Sequence, residues 1–137
     1  MFIDVHCHLD LLNNINSVIS NARKKRVEKI LSAGVSYETN RKILEFSKNF
    51  SEVEAVLGIY PIDALKMSEK GLIEEINFIK QHQKEIMGIG EVGMDFKESN
   101  EKKDRKGFFL CLFNYPKKSI NRLSFIQEWQ KRHVLIF

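Results

Sequence analysis

The 137-residue sequence has only two cysteines, Cys7 and Cys111, which are too few for a disulfide framework and lack the CxxC spacing of a metal site. It also lacks any apolar run long enough to cross a membrane. Its start does not resemble a signal peptide, because Asp4, His6 and His8 interrupt the apolar stretch that such a peptide requires. A solenoid-type repeat is absent as well. These absences predict a cytoplasmic protein with no membrane association.

The composition is that of a globular protein, with 43% hydrophobic and 29% charged residues. This apolar content excludes a disordered chain, and the length predicts a single domain over residues 1–137. The formal net charge of +4 gives mild support for a polyanionic partner. Much of this charge lies in basic runs, at residues 23–26 and in the tail, and such runs are usually solvated faces. Charge alone therefore does not identify a partner.

Up to about residue 96, short apolar runs alternate with amphipathic stretches. The apolar runs predict buried strands at residues 2–5, 29–33, 53–59 and 86–89. Three stripes with helical spacing lie between them: Ile15, Val18, Ile19 and Ala22; Ile43, Leu44 and Phe46; Leu72, Ile73, Ile76, Phe78 and Ile79. Ser36 and Ser68 are placed to cap the second and third helices.

Strands and helices in this order predict an α/β fold of about four parallel strands joined by right-handed crossovers. Such a chain forms half of an eight-stranded barrel of the TIM type or a small open sheet. In both architectures, ligands bind at the carboxyl ends of the strands. Those ends are therefore where chemistry is expected.

The tail from residue 97 has a different character. A hydrophilic run over residues 97–107 precedes a hydrophobic cluster over residues 108–113. Ile120, Leu123, Ile126 and Trp129 then recur at near-helical spacing and predict a short final helix. We therefore expect residues 1–96 to form one structural part and residues 97–137 a divergent tail.

Two histidines end the first predicted strand. Residues two apart on a strand point the same way, so His6 and His8 place two imidazoles side by side at the carboxyl edge. Neutral imidazole is a favoured ligand of zinc, nickel, manganese and iron. Cys7, between them, points to the opposite face and is predicted to be a buried apolar residue. The pair therefore predicts part of a metal site.

A carboxylate ends the fourth predicted strand. Glu91 lies within the glycine-rich stretch at residues 88–95 and rises to the same edge as the two histidines. A carboxylate can bridge two metal ions in the way that clamps a phosphodiester, which makes Glu91 a predicted catalytic and metal-ligating residue. Asp95 either supports a ligand histidine or belongs to an exposed acidic turn. Tyr60, after the third strand, either contacts substrate or packs.

Three of these segments together resemble the TatD family of metal-dependent deoxyribonucleases: residues 4–10 (DVHCHLD), 58–61 (GIYP) and 90–95 (GEVGMD). Their order and separation fit as well as their content, and the resemblance covers roughly residues 1–96. It implies an eight-stranded TIM-type barrel, two divalent metal ions such as Mg, Mn or Zn, and hydrolysis of phosphodiester bonds in DNA. It also implies that His6 and His8 bind the first metal and that Glu91 bridges both.

The sequence departs from the family in two respects. Tyr60 stands where the family commonly has histidine, and the family's remaining ligands, two histidines and a late aspartate, belong to later strands. The tail does not resemble the family's next helix and strand, and one hypothesis is that a frameshift replaced them. We therefore expect a truncated enzyme with weak metal binding and little or no nuclease activity, whose unpaired sheet edge favours self-association.

Two other interpretations remain open. A different metal hydrolase, such as an amidohydrolase-like or phosphoesterase barrel, also begins with HxH at the end of its first strand. The second interpretation is a non-catalytic product. It is either a degenerate remnant or an interaction module whose tail helix covers the exposed sheet. Turnover of DNA rather than of small esters or amides would argue against a different metal hydrolase. The metal content of the purified protein tests for a non-catalytic product.

Overall fold

The computed structural model describes residues 1–90, which form one parallel sheet with helices between its strands. The strands are β1 (Phe2–Cys7), β2 (Val27–Gly34), β3 (Val53–Leu57) and β4 (Gly88–Ile89), and the helices are α1 (Ile15–Lys24), α2 (Tyr37–Asn49), α3 (Pro61–Lys66) and α4 (Glu69–Gln81). Each strand pairs in parallel with the next along the chain, in the order β1-β2-β3-β4. This is the arrangement of half of a (β/α) barrel, as predicted.

The strands and helices predicted within residues 1–90 are confirmed, with small shifts in their ends. The short final helix predicted around residues 120–129 lies outside the described residues and stays a prediction. Ser36 caps α2 with a capping box that includes Thr39, and the Ser68 hydroxyl accepts a hydrogen bond from the Gly71 backbone N–H (3.1 Å) at the start of α4. Two short elements were not predicted: a 3-10 helix at Leu9–Leu11 and α3, which begins at a proline suited to the first helical position. Both follow strand ends, so they shape the edge where the candidate site lies.

The core lies between the sheet and its helices. Alternate residues of β3 face the helices and are almost fully buried, as the two-residue period of a strand requires. The buried apolar side chains that form this core are Leu9, Ile19, Ile30, Ile43, Leu44, Val53, Ala55, Leu57, Ile59, Ala64, Ile76, Ile79 and Ile89. Burial of this apolar area holds the strand ends, and therefore the site, in place. No helix in the described part of the chain is both apolar enough and long enough to span a bilayer.

The first strand lies at the edge of the described sheet. Phe2, Ile3 and Val5 are exposed, as is Met1 before them and Leu11 in the following 3-10 helix. Large apolar side chains exposed on an edge strand favour association with another surface. An unpaired edge is expected of a half-barrel, and within residues 1–90 β1 pairs with β2 alone.

A buried polar cluster joins α2 and α4 to the end of β3. The Asn40 side-chain amide donates to the Gly58 carbonyl (2.8 Å) and to Glu75 Oε1 (2.8 Å), and its oxygen accepts from the Gly58 backbone N–H (3.2 Å). Arg41 donates to Glu75 Oε2 (2.8 Å). Asn40 and Glu75 are both completely buried, so these bonds supply the partners that buried polar groups require. The cluster fixes the chain where β3 ends.

Gly34, the last residue of β2, permits α2 to pack against the sheet. A Cβ at this position would lie 2.8 Å from Asn40 Cα and closer still to Asn40 Oδ1. We expect Gly34→Ala to lower the free energy of unfolding by about 1–3 kcal/mol, because the backbone of α2 must move. Chemical denaturation measures this.

Gly71 is the matched control, since a Cβ there would approach Ser68 Oγ no closer than 3.3 Å. Gly71→Ala should be neutral or slightly stabilising, because alanine favours a helix more than glycine does. Equal effects of the two alanine substitutions would contradict the close packing described for Gly34.

Candidate metal centre

The two predicted histidine ligands lie side by side at the carboxyl end of β1. The ring centres of His6 and His8 are 5.0 Å apart and their planes are nearly perpendicular, at 86°. Two imidazoles at this separation can direct one nitrogen each at a single ion, at the ~2.0–2.1 Å that zinc–nitrogen bonds require. The structure therefore brings together the pair that the sequence indicated.

The ring of His8 is oriented by the neighbouring strand. Its Nδ1 lies 3.0 Å from the carbonyl oxygen of Ala33 in β2. A carbonyl can only accept, so Nδ1 carries a proton and donates it, and in the neutral imidazole Nε2 then keeps its lone pair. Metal-binding histidines are held in this way, with one ring nitrogen on a carbonyl and the other free for the ion. His8 therefore fits the role of a metal ligand.

Acidic groups surround this strand end. Asp4 Oδ1 accepts a hydrogen bond from the His6 backbone N–H (3.1 Å). Asp10, two residues after His8, has a buried oxygen, Oδ1, without a hydrogen-bond partner in the structure of residues 1–90. The Lys42 ammonium donates to the Asp10 backbone carbonyl (2.8 Å), so one positive charge already lies beside this residue. The two imidazoles of the histidine pair are therefore the donors in the described part of the chain that fit a divalent cation.

Cys7 takes no part in this pair. It is half-buried and packs against the core, as predicted for a small apolar residue. Burial, together with the Asp4 carboxylate, raises the pKa of its thiol to about 11. The thiol is therefore protonated at neutral pH and is neither a nucleophile nor a thiolate ligand in this state.

Tyr60 lies at the same edge, as the N-cap of α3. Its backbone N–H donates to the Val35 carbonyl (2.8 Å), which ties the loop after β3 to the loop after β2. Tyr60 is half-buried, and its role in substrate binding stays a prediction.

The histidine pair needs a further ligand. Within residues 1–90 no group of three or more histidine, cysteine or acidic side chains is arranged to hold a metal ion. Glu91 and Asp95, the predicted carboxylates, lie outside the described residues, although β4 delivers the chain to the carboxyl edge just before them. The described part of the site is therefore a two-imidazole half.

Comparison with protein families identifies the chain. A family model described as "TatD related DNase" matches residues 3–119, which is most of the sequence. The chain belongs to the TatD-related DNase family. The match continues beyond residue 96, where the motif resemblance ended, into the segment expected to be a divergent tail.

Curated relatives agree with the TatD assignment. An "uncharacterized metal-dependent hydrolase" of Methanocaldococcus jannaschii is 34% identical over 116 residues, covering 81% of this chain and 45% of the relative. A Bacillus subtilis protein described in the same words is 30% identical over 110 residues, covering 76% of this chain and 41% of the relative. The "deoxyribonuclease TATDN3" of Homo sapiens is 27% identical over 104 residues, covering 69% and 38%. The chain thus spans less than half the length of these TatD relatives.

A solved structure gives the same fold. The crystal structure of YjjV, a TatD homologue from Escherichia coli K12, aligns with a TM-score of 0.62 at 23% identity, covering 80% of this chain and 44% of that one. The four parallel strands are therefore half of a TatD-type barrel rather than a small open sheet.

The sequence motifs did not reveal that β2 contributes to the candidate site. The Ala33 carbonyl that orients His8 is a backbone group, and every residue type supplies one. Ser32, the residue before Ala33, could have been singled out from the sequence. Its hydroxyl lies inside an apolar strand run, where a buried hydroxyl requires a hydrogen-bond partner.

Proposed function

We propose that this chain carries the first half of a metal-dependent hydrolase site that acts on phosphodiester bonds in DNA. The observation that carries the proposal is the fixed orientation of His8, whose Nδ1 is held by Ala33 while Nε2 is left for an ion beside His6. A deoxyribonuclease among the relatives supports DNA as the substrate. The net charge of +4 is compatible with a polyanion.

In this proposal His6, His8 and Glu91 would hold a divalent ion, and Glu91 would also serve as a ligand of a second one. Divalent ions, when bound, stabilise charge on the phosphate and make water a sufficiently strong nucleophile at neutral pH. The chain's own contribution is to orient the imidazoles and, through Tyr60, to contact the substrate. Mg, Mn and Zn are the candidate ions.

We further propose that the isolated 137-residue chain binds metal weakly and has little or no nuclease activity. It supplies three of the expected ligands at most, and the second ion would have little besides Glu91. Since it spans 45% of one relative and 38% of another, the ligands of later strands would have to come from elsewhere.

The test uses the purified, untagged chain after removal of metal with a chelator. Zn²⁺, Mn²⁺ and Mg²⁺ are titrated separately, metal content is measured, and cleavage of single- and double-stranded DNA is compared with turnover of small esters and amides. We expect one weakly bound ion and almost no turnover. Hydrolysis of esters or amides, but not of DNA, would favour a different metal hydrolase. No metal binding would favour a non-catalytic remnant, and strong metal-dependent DNA cleavage would contradict the predicted inactivity.

We propose that the exposed edge of β1 mediates self-association. Val5 is 66% exposed on this edge, so Val5→Lys should place a charge in the contact and shift the protein towards monomer. Sedimentation equilibrium over a range of concentrations measures the change. Ile73→Lys is the control, because Ile73 is a similar exposed apolar residue on α4. A monomeric wild-type protein, or equal effects of the two lysines, would contradict this proposal.

A further inference from the structure

Ser32 is a buried polar residue that the proposed chemistry does not use. Three polar or charged residues in the described chain are completely buried: Ser32, Asn40 and Glu75. Asn40 and Glu75 bond to each other and tie α2 to α4. Ser32 instead bonds across the sheet to the first strand, at the point where that strand ends.

The Ser32 hydroxyl contacts the backbone on both sides of His8. Its oxygen accepts a hydrogen bond from the Leu9 N–H (3.1 Å) and its proton points to the Cys7 carbonyl (3.5 Å). Cys7 is the last residue of β1, and Leu9 opens the 3-10 helix. His8 is therefore the single residue between these two elements, and one hydroxyl spans it.

The Leu9 N–H needs this partner. The first N–H groups of a helix have no partner within the helix, and Leu9 is almost completely buried, with 2% of its surface exposed. A buried N–H without an acceptor is unfavourable, so loss of the hydroxyl would favour a different path for the chain through His8.

We infer that Ser32 is a positioning residue for His8, an inference that rests on the proposed metal-binding role of that histidine. Two consecutive residues of β2 act on it together, because the Ser32 hydroxyl holds the backbone of His8 and the Ala33 carbonyl holds its ring. With the backbone fixed, Nδ1 reaches the Ala33 carbonyl, and the centre of the ring lies 5.0 Å from that of His6. Without it, the ring is expected to leave the carbonyl and populate both neutral tautomers.

The test compares Ser32→Ala with Ser68→Ala. Ser68 is a matched control, because its hydroxyl also accepts one backbone N–H, from Gly71 (3.1 Å), but at the start of α4. Zn²⁺ affinity is measured by competition with a chromophoric chelator, under conditions where circular dichroism shows both variants to be folded. We expect Ser32→Ala to weaken Zn²⁺ binding about 10–100-fold, the range seen when partners of metal ligands are removed. Ser68→Ala should leave the affinity unchanged.

A second measurement does not depend on metal. Long-range ¹H–¹⁵N NMR spectra of the metal-free protein report the tautomer of His8. We expect the Nδ1–H form in the wild type and in Ser68→Ala, and a mixture in Ser32→Ala. The NMR measurement separates the proposed function from the proposed role of Ser32. If the wild-type protein does not bind Zn²⁺, the proposed function is wrong. The tautomer of His8 in the metal-free protein still tests whether Ser32 positions that ring.

A purely structural role would lower stability without altering either measurement. Unchanged Zn²⁺ affinity and an unchanged tautomer in folded Ser32→Ala would overturn the inference. If Ser32→Ala does not fold, the hydrogen-exchange rate of the Leu9 amide in the wild-type protein is measured instead. We expect this amide to exchange slowly, because its N–H donates to the Ser32 hydroxyl. A rapidly exchanging Leu9 amide would overturn the inference equally.

Discussion

Replacing Glu75 with alanine is expected to lower the free energy of unfolding by about 3–5 kcal/mol, the range for breaking a buried ion pair by removing one partner. Glu75 has no exposed surface, and its two oxygens accept from Asn40 and Arg41. The substitution leaves the buried Asn40 amide with an unsatisfied N–H and Arg41 without its counter-charge. Urea denaturation followed by circular dichroism measures the loss.

The neighbouring Glu74 provides the control for this prediction. Its carboxylate is 65% exposed and lies 3.8 Å from Lys70 in a surface pair, so Glu74→Ala should change stability by no more than ~0.5 kcal/mol. Glu75→Gln keeps an oxygen for Asn40 but loses the charge that faces Arg41, and should fall between the two alanine variants. If Glu74→Ala and Glu75→Ala proved equally stable, the buried cluster would not contribute in the way described.

Removing a ring of the histidine pair is expected to have the largest effect on metal binding. We expect His8→Ala to weaken Zn²⁺ binding by at least about 100-fold, since the loss of a direct ligand should exceed the 10–100-fold loss caused by removing a ligand's partner. His6→Ala should behave in the same way, because the two rings are adjacent and share one proposed ion. Isothermal titration calorimetry of the metal-free protein measures both.

His82 supplies the control for the histidine variants. It follows the last turn of α4. Its ring contacts the Phe78 ring, and its Nδ1 lies 2.9 Å from the Phe78 carbonyl oxygen. Loss of this imidazole in His82→Ala removes a zinc-binding group without touching the pair, so the affinity should stay at the wild-type value. Equal losses in His82→Ala and His8→Ala would point to nonspecific binding by surface histidines.

Much of the architecture was predictable because its determinants are local. Apolar runs marked the strands, and Ser36 and Ser68 marked helix starts through bonds to residues only three positions away. The two-residue period of a strand was sufficient to predict that His6 and His8 lie together and that Cys7 packs against the core. Each of these inferences needs only the neighbouring sequence.

The remaining features depend on partners far away in the sequence. Asn40 occupies a buried position because Gly58 and Glu75 offer bonding groups there, and no pattern within α2 indicates this. No sequence motif indicates the Ala33 carbonyl that holds the His8 ring, because it is a backbone group. Glu91 was predicted from its glycine-rich context, lies outside the described residues, and stays a prediction. Non-local hydrogen bonds, rather than local preferences, therefore complete the described part of the site.

The strictly sequential order of the strands has a consequence for how the protein forms. Asp4 pairs with Ile30, and Ile30 in turn pairs with Val53, so each strand meets a partner made immediately before it. The entropy cost of closing a loop grows with its length, so pairing neighbouring strands costs less than pairing strands far apart in the sequence. During synthesis each strand–helix unit can dock on the preceding one, so the histidine pair would be assembled before β4 is made.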